Sequence, residues 1–241
     1  DENVYGVKVV SRYPDRNPAI KADILLYDLK TGGHLAILDG TWITAARIGA
    51  LAALAVEELA KQNYENIAVM GLGATGQNFL KAWLSKSSNK SKKVKLLNYK
   101  DHAIKTKEML LKEGVSQVEI CNDNENLIRD SDVVVSAITV ANELIGKDDW
   151  FKPGVLVVPI HTRGFQNCDL FFEQVVCDDV SHVEGFKNFS EFKSLKEMSD
   201  ILSKKVKGRL NNQERILAYN IGIALHDVLI AKRIWEVYSE S

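Results

Sequence analysis

The feature that most constrains this 241-residue chain is a glycine-rich turn at residues 69–76, which reads VMGLGATG. The apolar residues before it have the character of a short buried strand, and residues 77–84 have the pattern of a helix. Gly71, Gly73 and Gly76 have G-x-G-x-x-G spacing, which permits a tight turn, a close backbone approach to a pyrophosphate and tight packing of helix on strand. Strand, turn and helix in this order predict a dinucleotide-binding site; a purely structural glycine turn is the alternative.

Composition narrows the class of protein further. Hydrophobic residues make up 46% of the chain and charged residues 26%, as in globular proteins, and the net charge of −1 favours neither nucleic acid nor an anionic membrane as a partner. Three cysteines without C-x-x-C spacing predict no metal site and no disulfide framework. This cysteine usage fits a reducing setting, and the sequence shows neither an apolar run of the ~18 residues that a membrane span needs nor a signal peptide, so we expect a cytoplasmic protein. Because the chain begins without Met and runs almost directly into a strand, we expect an incomplete or processed product.

Periodicity predicts two domains. Residues 63–204 alternate strands with helices, including a helix at 195–204, which is typical of a doubly wound parallel sheet. The residues before them predict an antiparallel sheet and a long helix, and residues 213–238 predict a last long helix. We therefore expect an α/β fold in which a Rossmann-type domain is inserted into a second, α+β domain formed by residues 1–62 and 205–241. Helices rich in small residues in this second domain suit a dimer interface.

One arginine lies where an arginine is unexpected. Arg47 falls in the first turns of an Ala- and Leu-rich helix, whose apolar surface predicts burial. A buried guanidinium requires an anionic partner. A structural carboxylate and a substrate carboxylate both satisfy that requirement.

Polar residues follow two of the predicted buried strands. Thr139 follows the strand at residues 132–138, and His161 and Arg163 follow the strand at residues 155–160. Ligands of open α/β sheets bind outside the carboxyl ends of the strands, so all three are candidate site residues. For His161 and Arg163 the alternative is an ordinary surface loop.

The strand after the glycine turn bears on the choice of cofactor. An acidic residue about 20 positions beyond the glycines normally binds the ribose hydroxyls of NAD. Asn98 stands at that place, and Lys100 follows closely. A neutral side chain with a nearby cation suits a 2′-phosphate, so we expect NAD or NADP, with a preference for NADP.

Several segments together resemble the ornithine cyclodeaminase/mu-crystallin family, and they follow the family's order along nearly the whole chain. These segments are residues 5–18, 37–55, 69–77 and 131–139 and the G-x-A-x-x-D sequence at residues 222–227. The D-G-T-x-x-T-A-x-R sequence before a small-residue helix is more specific than the glycine turn. The resemblance implies a homodimer with a Rossmann domain, a substrate and dimerisation domain, and bound NAD or NADP.

The resemblance also assigns roles to residues. Lys8 and Arg47 match the family residues that hold the substrate carboxylate, and Gly71, Gly73, Ala74, Thr75 and Gly76 match the phosphate loop. Family members carry about 60 further N-terminal residues with another site arginine, given their usual domain size. Cyclodeaminases have a D-x-x-G sequence where this chain has H-T-R-G, which places His161 at the aspartate position.

These features favour an oxidoreductase that exchanges a hydride between a nicotinamide and an imino or amino acid. Lys8 and Arg47 would hold the carboxylate, and His161 would supply a proton, since the ordinary pKa of histidine lies near neutrality. The first alternative is an ornithine cyclodeaminase, a lyase that leaves NAD unchanged overall. The second is a ligand-binding protein like mu-crystallin, without catalysis.

Overall fold

The computed structural model of the chain describes residues 3–13, 15–16, 18–138, 141, 144–162 and 164–239. In this part of the chain the strands are β1 (Val4–Arg12), β2 (Ile20–Asp28), β3 (His34–Asp39), β4 (Asn66–Met70), β5 (Lys93–Leu97), β6 (Gln117–Cys121), β7 (Val133–Ser136), β8 (Leu156–Pro159), β9 (Gln174–Cys177), β10 (Leu195–Glu197) and β11 (Ile216–Tyr219). The α-helices are α1 (Thr41–Leu59), α2 (Ala74–Leu84), α3 (His102–Lys112), α4 (Asn124–Ile128), α5 (Met198–Leu202) and α6 (Ala224–Ser239).

Eight strands form a parallel sheet in the order β10-β9-β11-β8-β7-β4-β5-β6. The chain winds outward from β4 in both directions, which makes the sheet doubly wound and of Rossmann type. Val133 and Val135 of β7 join one hydrophobic cluster, and Val134 joins another. The apolar runs read from the sequence are therefore strands that are buried on both faces.

The chain divides into two compact units. Ile48–Ile221 contains the parallel sheet, whereas Asp1–Arg47 and Gly222–Ser241 together form the other unit. In the latter, β1, β2 and β3 form an antiparallel sheet on which α6 packs. A Cβ at Gly6 would lie 2.9 Å from a methyl carbon of Val228, so the absence of a side chain lets helix and strand come together.

Two predicted helices are partly wrong. Residues 213–238 do not form one helix, because β11 occupies their first part and α6 begins only at Ala224. β11 lies between β8 and β9, so the parallel sheet continues past residue 204. The predicted helix at 195–204 contains the edge strand β10, followed by the single short helix α5. The predicted antiparallel sheet, the long helix after it and the alternating strands and helices before residue 195 are present.

The small residues of α1 serve a contact within the larger unit. A Cβ at Gly49 would lie 2.5 Å from the backbone nitrogen of Phe79 and 2.7 Å from the carbonyl carbon of Asn78, both in α2. The backbones of α1 and α2 are therefore in direct contact at this point.

None of the helices in the described part of the chain combines the length and apolar character that a membrane crossing requires.

Candidate functional site

The turn after β4 is too tightly packed for side chains at two of its glycines. Gly71 has a φ of +81°, and a Cβ there would overlap the backbone of Ala137, which directly follows β7. A Cβ at Gly76 would overlap the carbonyl oxygen of Gly71. The turn therefore lies at the switch point between β4 and β7, where doubly wound sheets bind ligands.

The third glycine faces open space. Around a Cβ built at Gly73, no described atom lies within 4 Å, and Gly73 offers no side-chain cap to α2. The helix begins at Ala74, three residues earlier than predicted, so Thr75 lies in its first turn. The first N–H groups of a helix have no acceptor within it, and the positive end of its dipole favours an anion. This cradle fits the pyrophosphate of a dinucleotide.

The end of β5 carries the residues predicted to read the ribose. Asn98 follows β5, which pairs directly with β4. Its Nδ2 donates a hydrogen bond of 3.0 Å to Asn122 Oδ1. Lys100 has a left-handed φ of +51°, and its Nζ lies 5.1 Å from the centre of the exposed Tyr99 ring. Asn98, Asn122 and Lys100 thus lie at or next to this strand end.

His161 lies at the same carboxyl edge of the sheet, just beyond β8. Its Nε2 is 2.7 Å from the hydroxyl oxygen of Ser136, the last residue of β7, and its ring stacks on Phe165. Ser136 is fully buried, so the hydroxyl holds the imidazole from inside the sheet. Ser136 was not predicted as a site residue, although a serine that ends the run VVVS was a usable signal. The other two predicted residues of this edge, Thr139 and Arg163, lie outside the described residues.

In the smaller unit, Lys8 and Arg47 meet on one carboxylate. Lys8 Nζ donates to Asp227 Oδ1 at 2.7 Å, and Arg47 Nε donates to the same oxygen at 2.9 Å. The side chain of Asp227 is 1% exposed, and those of Lys8 and Arg47 are 8% and 9% exposed. Of the two anionic partners considered for Arg47, the structure supplies the structural one.

This cluster retains an excess of positive charge. Two cations share one carboxylate, and Arg47 Nη1 makes no hydrogen bond within the described part of the chain. Burial lowers the pKa of Lys8, while its hydrogen bond to Asp227 acts in the opposite direction. A buried, net-positive cluster with an unused donor is suited to a carboxylate ligand. Elsewhere in the described residues, no group of His, Cys, Asp or Glu is arranged to hold a metal ion.

The sheet order and the glycine turn at the switch point define a Rossmann-type α/β protein. Within that class, the chain belongs to the ornithine cyclodeaminase/mu-crystallin family, whose model matches residues 1–241.

Individual relatives match nearly the whole chain. Nodulation efficiency protein NfeD of Rhizobium meliloti is 27% identical over 96% of this chain and 75% of its own length. Delta(1)-pyrroline-2-carboxylate reductase of Bacillus thuringiensis subsp. konkukian is 24% identical, over 98% of this chain and 78% of its own. The structure of Thermococcus litoralis Delta(1)-pyrroline-2-carboxylate reductase in complex with NADH and L-proline is 26% identical, covers 99% of this chain and 79% of its own, and has a TM-score of 0.83.

Proposed function

We propose that this chain is an NAD(P)H-dependent oxidoreductase that reduces a carboxylate-bearing imine to an amino acid. The observation that carries the proposal is the buried, net-positive cluster of Lys8, Arg47 and Asp227. Its charge and its unused guanidinium donor match the carboxylate of such a substrate. The relatives that bear the name Delta(1)-pyrroline-2-carboxylate reductase support the reaction class.

The two units take different parts of this task. Ile48–Ile221 is the dinucleotide-binding part, in which Gly71, Gly73 and Gly76 with the first turn of α2 hold the pyrophosphate. The unit formed by the two chain ends is the substrate and dimerisation part. A bound reduced nicotinamide supplies the hydride.

The residues of the chain orient the substrate and supply the proton. Lys8 and Arg47 hold the carboxylate, and a fixed orientation of the reacting carbon supplies much of the rate enhancement in reactions of this kind. Reduction of C=N requires a hydride at carbon and a proton at nitrogen. His161, held at Nε2 by Ser136, is the candidate for supplying that proton.

The proposed cofactor preference is for NADPH. Asn98 in place of an acidic residue, together with Lys100, supports it because neither side chain repels a 2′-phosphate. We expect Lys100→Ala to weaken NADPH binding and to leave NADH binding unchanged, and Asn98→Asp to favour NADH. Calorimetric titration of both cofactors tests this, and a higher kcat/KM with NADH for the unaltered protein would contradict it.

A homodimer is part of the proposal. Tyr5, Val7 and Val9 alternate along β1 and are 42%, 51% and 55% exposed, so they form an apolar stripe on one face of the antiparallel sheet. Exposed apolar surface of this kind marks an interaction site.

A cytoplasmic location is also part of the proposal, because three buried, unpaired cysteines are compatible with the reducing cytoplasm.

The function is tested by a panel of cyclic imines, and of keto acids mixed with amines, assayed by the absorbance of NADH and NADPH. We expect net oxidation of the cofactor with at least one carboxylate-bearing imine and no proline from ornithine. The second expectation rests on His161, which provides no negative charge for the second ammonium of ornithine. Proline formed from ornithine with catalytic NAD would establish the lyase instead. Binding of cofactor and ligand without any turnover would establish the ligand-binding alternative.

A further inference from the structure

We propose that Asp227 is a positioning residue, which fixes Lys8 and Arg47 as a pair so that both cations address the same carboxylate group. The inference rests on the proposed function, because it assigns a role at the proposed carboxylate site. Asp227 itself is not expected to touch the substrate, since its side chain is 1% exposed, less than those of Lys8 and Arg47.

The geometry of the pair supports this role. Lys8 comes from β1, Arg47 from α1 and Asp227 from the first turn of α6, and a single oxygen, Oδ1, accepts from both cations. Lysine and arginine side chains are long and lose considerable rotamer freedom when they are fixed. One shared acceptor brings the two nitrogens, at 2.7 and 2.9 Å from it, to neighbouring positions before any ligand binds. The carboxylate also reduces the repulsion between two buried cations.

The backbone of Gly222 also contacts Arg47. It has a φ of +85°, and a Cβ at this position would overlap Arg47 Nη1. The guanidinium therefore lies directly on the backbone just before α6. The segment that carries Asp227 thus fixes Arg47 in two ways, by an ion pair at Nε and by backbone contact at Nη1.

Asp132 provides a matched comparison in the larger unit. It is 3% exposed, and its Oδ1 also forms ion pairs with two cations, Lys61 Nζ at 2.8 Å and Lys152 Nζ at 2.7 Å. Its Oδ2 accepts from backbone N–H groups at the start of β4, so this carboxylate ties the amino end of the sheet together. The glycine turn lies at the opposite, carboxyl end. Asp132 is therefore a structural carboxylate with the same kind of partners.

The two charged groups that face Lys8 set how its charge depends on pH. Burial lowers the pKa of Lys8, Asp227 opposes this through its hydrogen bond and its negative charge, and the like charge of Arg47 lowers the pKa further. Loss of the carboxylate should lower this pKa further. Because Lys8 binds a carboxylate only when protonated, the alkaline limb of kcat/KM would move to lower pH.

The test compares Asp227→Asn, Asp227→Glu and the control Asp132→Asn. We expect Asp227→Asn to lower kcat/KM about 100-fold, mainly through KM, as misplacement by about 1 Å can do. It should also move the alkaline limb to lower pH. Asp227→Glu keeps the charge but displaces it, so we expect a raised KM with the alkaline limb in its original place. Asp132→Asn should lower the melting temperature and leave KM and the pH profile unchanged.

A second measurement needs no turnover. Acetylation of the Lys8 amine, followed by mass spectrometry across pH in the free protein, should reach its half-point at lower pH in Asp227→Asn than in the unaltered chain. If the unaltered protein reduces no imine, the proposed function fails, and the Lys8 titration still tests the link to Asp227. The inference is overturned if Asp227→Asn retains the KM and the Lys8 titration of the unaltered protein. If that variant does not fold, an unchanged KM in Asp227→Glu overturns it.

Discussion

Arg47 donates through Nε to Asp227, and its Nη1 is buried against Gly222 without a hydrogen-bond acceptor among the described residues, so the guanidinium retains donor capacity beyond the ion pair. We expect Arg47→Lys to lower kcat/KM on the order of 100-fold, because an ammonium cannot reproduce the geometry of the guanidinium. Steady-state kinetics with the best imine measures this. Arg12→Lys, at an exposed arginine of β1, is the matched control and should have no effect. A decrease in kcat/KM of less than about threefold, which an ordinary surface substitution can also cause, would contradict a role of Arg47 in holding the substrate carboxylate.

Two thiols should be inert in the native protein. Burial raises the pKa of Cys168 and of Cys177 from 9.0 to about 12. At pH 8 this lowers the fraction of thiolate about 1000-fold, and the thiolate is the reactive form. We expect an aromatic disulfide reagent to label them in urea and to leave them almost unlabelled in buffer. Labelling of both at the rate of free cysteine in buffer would show that these sites open readily.

The need of Arg47 for an anion was readable from the sequence, because an arginine within an apolar helix cannot be buried alone. The identity of the anion was not, since Asp227 is 180 positions away and lies in the G-x-A-x-x-D segment among apolar residues. Sequence position alone also gave no sign that Lys8 and Arg47 share a single oxygen. That pairing depends on how β1, α1 and α6 pack.

At the scale of one element, the turn between β4 and α2 offers a clean test. Gly73 has open space around it, so Gly73→Asp should fold normally while it places a carboxylate where the phosphates would lie. We expect calorimetry to show affinity for NADH and NADPH lower by about 100-fold or more, because like charges a few ångströms apart repel strongly. Gly185→Asp makes the same change at another glycine with open surroundings and should leave affinity unchanged. Equal affinities in both variants would place the cofactor elsewhere.

Whether a strand or helix could be predicted from the sequence depended on its length and on the residues that flank it. The strand–turn–helix around Gly73 was correctly predicted, because glycine spacing and apolar runs coincide there. β11 was missed since a four-residue buried strand and a buried helical segment look alike in periodicity. The break between β11 and α6 is at Gly222, whose left-handed φ of +85° ends one element before the next begins. A glycine within an otherwise helical pattern was the available signal.

At the scale of the whole molecule, the apolar stripe on β1 predicts association. We expect Val7→Lys with Val9→Lys to convert a dimer into monomers, because two charges would be buried at an apolar interface. Light scattering after size-exclusion chromatography measures the mass. Leu111→Lys, at an exposed leucine of α3, is the control and should leave the mass unchanged. A monomeric unaltered protein, or a double variant that stays dimeric, would contradict this interface.

The cluster of Lys8, Arg47 and Asp227 also has a consequence for the order of events during synthesis. Lys8 and Asp227 are separated by 219 positions, so the ribosome adds the acceptor long after the first of its donors. At about 5–20 residues per second the delay is roughly 10–40 s. For most of that interval, once Arg47 has also been added, the nascent chain contains both cations without their shared anion. The cluster therefore cannot form until α6 has been synthesised, and a product that stops short of α6 would have two cations and no Asp227 to hold them.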